Sequence, residues 1–322
     1  LYYFSLYMSV HFEASRLGLK GLPEEEIPPF WSTFFGGIQF LIPIVTIFVV
    51  LFMGASPMKA AYIGIITLLL ASAVKKATRL NWKAFIDAFK DAAVTSVSIV
   101  SATSCAGIII GVVSLTGLGL KFTDFVISFA QDTLLIGLLL TMIASIILGM
   151  SLPTVATYIV LSVLAAPALV ELGVPLIAAH LFILFFGVFA DITPPVALAS
   201  YAAAGLAKTS PLAASLTTVR VASIGFIIPF IFVYFPALLL QGSFGEITMA
   251  VITSILAIVA IAASLQNYFL LETNLLQRAL LIIAGITLLI PEMYTDVFGF
   301  VILTGVFLWQ YTASKKLARA KV

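Results

Sequence analysis

Charged residues are scarce in this chain. They make up 9% of its 322 residues, against about a quarter in an ordinary soluble domain. That shortage excludes a soluble globular fold. Cysteine is almost missing: Cys105 stands alone, so no internal disulfide can form and no thiolate metal site has a companion. Cys105 reads as a small packing residue inside a helix. Enzyme signatures are absent too. There is no His-Glu-x-x-His and no Gly-x-Ser-x-Gly. No Gly-Lys-Ser/Thr occurs, so the chain has no P-loop for ATP. A formal net charge of +2 gives no footprint for nucleic acid, and none is expected as a partner.

What is abundant is apolar sequence, 62% of the chain. Runs near twenty residues recur along most of the length, which predicts an all-α polytopic protein in a lipid bilayer. The opening Leu1-Tyr2-Tyr3-Phe4 reads as the end of a preceding span, with an N-terminal half expected upstream. It has no basic n-region and no cleavage site of a signal peptide. Residues 1–30 are this span end plus a polar linker with Arg16, Lys20 and a Glu24-Glu25-Glu26 run. Residues 31–93 are expected to hold two scaffold spans, 31–53 (kinked at Pro43) and 58–74, then a basic loop and an interfacial arm at 82–91. Residues 94–240 carry the span 94–115, rich in small and hydroxyl residues, then a loop or short surface helix at 116–132, the broken stretches described next, and a long span 211–240 with Pro229 and Pro236. Residues 241–322 are expected to be three accessory spans and a basic tail.

Two breaks interrupt the apolar sequence. The first is Gly149-Met150-Ser151-Leu152-Pro153-Thr154. The second is Gly187-Val188-Phe189-Ala190-Asp191-Ile192-Thr193-Pro194-Pro195. Each pairs a Gly, which ends a helix easily, with a Ser or Thr before Pro, which starts the next. The arms 133–148 and 155–170 each reach about 24 Å at 1.5 Å per residue, short of a hydrocarbon core of roughly 30 Å. This predicts a re-entrant hairpin over 133–170 and a discontinuous helix over 176–206. Irregular backbone at membrane depth is tolerated only where it is buried in protein or lines a cavity. Paired breaks therefore point to a transporter's binding site.

Asp191 is the sharpest single residue. The other acidic residues fall in loops or near span ends, whereas Asp191 lies well inside a span, where a carboxylate is costly and marks function. Desolvation favours its neutral acid, and a following half-helix starting at Thr193-Pro194 favours its anion. Both a proton carrier and a fixed anion beside Na⁺ remain open. Ser151, Thr154, Thr157 and Thr193 offer hydroxyls for substrate or a hard cation, with carbonyls freed near Gly149 and Gly187. Arg220 either snorkels to the surface or pairs with Asp191. His180 is an interfacial histidine or a proton relay.

Lysine and arginine counts place 11–30, 75–93, 207–210, 266–278 and the tail with Lys315, Lys316, Arg319 and Lys321 on one side. That side should be cytoplasmic, and the hairpin then enters from the outer face.

At Gly149-Met150-Ser151-Leu152-Pro153-Thr154 and at Asp191-Ile192-Thr193-Pro194-Pro195-Val196-Ala197-Leu198-Ala199-Ser200-Tyr201, the sequence resembles the large membrane subunit of tripartite ATP-independent periplasmic (TRAP) transporters. The linker from His11-Phe12-Glu13-Ala14 to Gly18-Leu19-Lys20-Gly21-Leu22-Pro23 is similar to that of the fused TAXI-type permease. The resemblance covers residues 1 to about 240 and identifies the chain with the C-terminal half of such a permease. It implies one inverted-repeat half of an elevator-type transporter and ion-site roles for Gly149, Ser151, Thr154, Gly187 and Thr193. It also implies Na⁺ or H⁺ coupling, and a carboxylated metabolite delivered by a periplasmic substrate-binding protein. The small membrane subunit, or the N-terminal half of the same permease, is the other implied partner, and the bacterial or archaeal inner membrane the implied location. Many Na⁺-coupled members carry Gly-Leu-Leu-Thr-Pro-Pro at the second break. Here Asp191 stands two places before Thr193, which makes H⁺ a serious option. Two other readings stay open: a non-transporting membrane scaffold, and an intramembrane enzyme using Asp191 and His180.

Overall fold

The fold is described from a computed structural model, which covers residues 1–131, 133–150, 152–290 and 292–320. Among these residues the chain is helical, with one isolated bridge between Tyr268 and Glu272. Helical structure is what lipid requires, because each helix satisfies its own backbone polar groups.

In chain order the helices begin with α1 (Tyr2–Arg16), α2 (Phe30–Gly37), α3 (Leu41–Phe52) and α4 (Pro57–Val74). Then follow α5 (Trp82–Thr116), α6 (Leu118–Ala130), α7 (Leu134–Gly149), α8 (Thr154–Leu164) and α9 (Ala166–Glu171). The rest are α10 (Leu176–Phe189), α11 (Leu198–Ala207), α12 (Pro211–Tyr234), α13 (Phe244–Leu265), α14 (Leu275–Leu289) and α15 (Met293–Ala320). By length and composition, 4 helices or helix runs among the described residues can cross a membrane: Phe30–Phe52, Pro57–Val74, Phe244–Leu265 and Met293–Lys316. Two bent pairs add candidates, Thr103–Thr116 with Leu118–Ala130 at 71° and Pro211–Val221 with Ser223–Tyr234 at 41°.

The chain divides into two compact units, residues 20–100 and residues 1–19 with 101–322. In the first unit α3 packs along α4. Gly64 permits the contact, because a Cβ there would lie 2.6 Å from Ile47 Cγ1. Ser56 caps α4 and Pro57 occupies its first turn, as the turn chemistry demands. The 31–53 span is interrupted at a 3₁₀ turn, Ile38–Phe40, rather than at Pro43 itself. Pro43 lacks the N–H that would bond the Gln39 carbonyl, so the disturbance falls one turn upstream.

The arm and span expected at 82–91 and 94–115 are one helix, α5, capped by Asn81 Oδ1, which accepts from Ala84 N at 2.7 Å. No Gly or Pro occurs between Trp82 and Ala106, and Ala92-Ala93 is strong helix-forming sequence. Within the stretch 116–132, Leu118–Ala130 is helical as α6, and Gly117 makes the sharp turn into it with φ +63°; Asp132 lies outside the described residues.

Among the described residues the second unit has two large cores, besides a small cluster of Ala106, Ala156 and Val160. One joins α7 to α10 and α12 through Leu138, Leu161, Leu169, Phe182, Phe186 and Phe232. The other joins α1, α12, α13, α14 and α15 through Phe12, Ile258, Ile261, Leu281 and Leu288. Helix α12 contributes to both. Helix α1 does as well: Tyr2 packs on the first core and Phe12 belongs to the second. Glu13 accepts from Arg16 and from Arg220, which ties α1 to α12.

Candidate binding site at the paired helix breaks

The two breaks meet. A Cβ built on Gly149 would lie 2.8 Å from the Gly187 carbonyl oxygen, 3.1 Å from Gly187 Cα and 3.1 Å from Ala190 Cβ. A Cβ on Gly187 would lie 2.7 Å from Thr157 Cγ2 and 2.9 Å from Leu161 Cδ1. Only glycine lets three segments approach this closely: the end of α7, the first turns of α8 and the end of α10. Gly149, Thr157 and Gly187 are all buried.

At the first break α7 stops at Gly149 and α8 starts at Thr154, with Pro153 as its extended N-cap residue. The helices have 16 and 11 residues, about 24 and 17 Å long. Each is too short to cross the hydrocarbon alone. The second arm is also broken, at Ala165, where α8 gives way to α9 with Pro167 in its first turn. Thr157 Oγ1 donates to the Leu152 carbonyl at 3.2 Å. Thr154 is exposed at the start of α8. Ser151 lies outside the described residues.

At the second break α10 ends at Phe189, and α11 begins at Leu198 rather than at Thr193-Pro194. Residues before a proline are pushed out of the helical region, and Thr193 and Pro194 both precede one. The intervening loop, which contains a cis Pro194–Pro195 peptide, is held by its own chain. Thr193 Oγ1 donates to the Phe189 carbonyl at 2.7 Å, and Tyr201 Oη to the Pro195 carbonyl at 2.6 Å. Ala199 N–H donates to the Asp191 carbonyl at 3.0 Å, so one free N–H of the α11 N-terminus is used within the loop. Sequence reasoning passed over Tyr201 and Ala199, although both stand in the stretch that carries the resemblance.

Asp191 is half-buried, one residue beyond the Ala190 that touches Gly149. Its carboxylate has no hydrogen-bond or ion-pair partner among the described residues. Arg220 is bound to Glu13 instead. His180 Nδ1 lies 3.0 Å from the Tyr158 hydroxyl. It is eleven residues from Asp191, roughly 16 Å along a helix, so the two do not form a catalytic pair.

Below the break an aromatic zipper fixes α10 to α12. Phe189 stacks on Phe226 at 4.5 Å, and Phe182 and Phe186 meet Phe230 edge-on at 5.3 and 5.8 Å. Rings at i, i+4 and i+7 share one helix face, and such pairs add to simple burial. A separate cavity of about 810 Å³ opens among α12, α13 and α15, lined by Tyr234, Met249, Met293 and Asp296. None of its lining residues belongs to a break.

The arrangement supplies oxygen chemistry. Thr157 and Thr193 donate their hydroxyl protons to carbonyls, which leaves oxygen lone pairs to accept or coordinate. No cluster of three His, Cys, Asp or Glu residues suited to a transition metal occurs among the described residues.

Comparison with protein-family models matches residues 1–247 to the DctM component of the tripartite ATP-independent periplasmic transporters. Comparison with curated proteins and with solved structures gave no match. The matched family is one of transporters, not enzymes, and the apolar helices make the chain a multi-pass membrane protein. Its two breaks, its composition and the match over most of its length agree: the chain belongs to the tripartite ATP-independent periplasmic transporter family, as a DctM-type permease component.

Proposed function

We propose that this chain is the part of an ion-coupled secondary transporter that carries the second hairpin and the second discontinuous helix. In this reading α7 and α8 form a re-entrant hairpin entering from the outer face. Substrate and coupling ion bind where its tip meets the break after α10. The contact of Gly149 with Gly187 and Ala190 carries the proposal, because it brings both irregular segments to one place.

Gly149, Ser151, Thr154, Gly187, Asp191 and Thr193 are proposed to serve the ion, and Ser151, Thr154, Thr157, Asp191 and Thr193 the substrate. The hydroxyl lone pairs suit Na⁺. A half-buried carboxylate with no partner among the described residues suits H⁺. The free N–H groups at the start of α8 suit a carboxylated metabolite. The substrate would arrive from a periplasmic binding protein, and movement would follow the elevator mode. The small membrane subunit or a preceding half of the permease would complete the assembly. The basic segments and tail favour an inner-membrane orientation with the C-terminus in the cytoplasm.

The test is uptake of radiolabelled organic acids into proteoliposomes holding the full permease, with its binding protein outside. Imposed Na⁺ and H⁺ gradients are compared. Accumulation driven by one gradient supports the reading and names the ion. Accumulation indifferent to both gradients contradicts it.

A further inference from the structure

The loop after α4 and the first turn of α5 carry Lys75, Lys76, Arg79 and Lys83, and the loop is folded. Thr78 Oγ1 donates to the Ser72 carbonyl at 2.8 Å, and Arg79 Nε to the Ala73 carbonyl at 2.9 Å. These bonds cap the C-terminal end of α4, where cations are favoured. Lys75 Nζ reaches back to the end of α2, donating to the Gly36 carbonyl at 2.6 Å and the Phe35 carbonyl at 3.1 Å. The basic loop therefore sits at the same end of the α2–α4 hairpin as an exposed aromatic group. Phe30 stacks on Phe34 at 5.8 Å and Trp31 on Phe35 at 5.8 Å. Trp31 is 66% exposed, and Trp82, just beyond the loop, is 76% exposed.

No ion pair among the described residues neutralises the charges here. Among the described residues the ion pairs are Arg16–Glu13, Lys90–Asp87 and Arg220–Glu13. None involves Lys75, Lys76, Arg79 or Lys83. Carbonyl partners orient Lys75 and Arg79 without cancelling their charge, and the Lys76 and Lys83 side chains make no hydrogen bond among the described residues. Four cations beside exposed tryptophan and phenylalanine at the end of two apolar helices match one surface. Aromatic rings settle at headgroup depth, and lysine and arginine attract anionic headgroups.

We infer that residues 75–83, with Phe30, Trp31 and Trp82, form a binding site for the headgroup of an anionic phospholipid. The bonds from Lys75 and Arg79 hold the loop in shape, and Lys76 and Lys83 meet the lipid phosphate. The site lies wholly within residues 20–100 and does not depend on the transport reading.

Tryptophan quenching by brominated lipid tests it. The chain has 3 tryptophans, and Trp309→Phe leaves Trp31 and Trp82 as reporters. The protein is reconstituted in phosphatidylcholine vesicles with a minority of phosphatidylglycerol, the bromine placed on one lipid or the other. At equal mole fraction of the labelled lipid, label on phosphatidylglycerol should quench more, with a local enrichment of about five-fold or greater. Lys76→Gln with Lys83→Gln should remove most of that preference, whereas Lys76→Arg with Lys83→Arg should keep it. Equal quenching from the two labels would overturn the inference, and so would a preference unchanged by the double glutamine substitution.

Discussion

Replacing Gly149 by alanine tests the contact on which the paired breaks depend. The new Cβ would stand 2.8 Å from the Gly187 carbonyl and 3.1 Å from Gly187 Cα, where 3.4 Å is the lower limit of ordinary contact. Both obstacles are backbone, so no rotamer change relieves them. Helices α7 and α10 must separate by about 0.6 Å, and overpacking of this kind costs about 1–3 kcal/mol. Gly205→Ala in α11 is the control, because nothing lies within 4 Å of its added Cβ. That substitution should be neutral or stabilise by about 0.5–1 kcal/mol. Gly187→Ala adds a second test. Its Cβ strikes the Thr157 Cγ2 methyl at 2.7 Å, which Thr157→Ser removes while keeping the hydroxyl. The pair should be less damaging together than the sum of the two single changes. Thermal unfolding in detergent reads all of these, at roughly 2–4 °C per kcal/mol. If Gly149→Ala melts with Gly205→Ala, the close approach of α7 and α10 is refuted.

Three further outcomes follow from contacts elsewhere. Glu13→Gln should cost on the order of 1 kcal/mol by weakening the α1–α12 tie. Arg16, by its hydrogen bond, and then Arg220 hold the Glu13 carboxyl below its ordinary value of 4.5. Its contribution is therefore complete above pH 4.5 and is lost as pH falls through the lowered value, so the variant should show a shallower acid decline in melting temperature. Gln310→Leu should destabilise by about 2 kcal/mol, because Gln310 Oε1 accepts from the half-buried Leu270 and Leu271 amides at 2.9 and 3.1 Å and both would lose that partner. Tyr201→Phe removes the bond to the Pro195 carbonyl at a cost of about 0.5–1.5 kcal/mol and should reduce uptake several-fold at normal expression.

Much of this could be read from local signals. Gly149 with Pro153 marks the first break because a helix ends easily at Gly and restarts after Pro. Ser56-Pro57 marks the start of α4 for the same reason. The capping boxes Ser243/Glu246 and Asn274/Gln277 were equally legible signs of the starts of α13 and α14. The continuity of α5 was also legible, in the lack of Gly and Pro from Trp82 to Ala106. The start of α11 was misread because Pro194 was treated as a first-turn proline, although Pro195 behind it forbids helical backbone there. What no local signal carries is pairing across the chain. Arg220 finds Glu13 across 207 residues, and Gln310 finds Leu270 across 40, because tertiary packing brings them together. The Gly149–Gly187 contact belongs to the same class: the sequence showed two breaks, and only the fold shows that they touch.

The most direct test of the central claim is uptake by the full permease carrying Asp191→Asn, with its binding protein, in proteoliposomes under an imposed ion gradient. Loss of gradient-driven accumulation by tenfold or more, at unchanged expression and melting temperature, is the expected result; a rate close to that of the unaltered protein would contradict the assignment of Asp191 to the site.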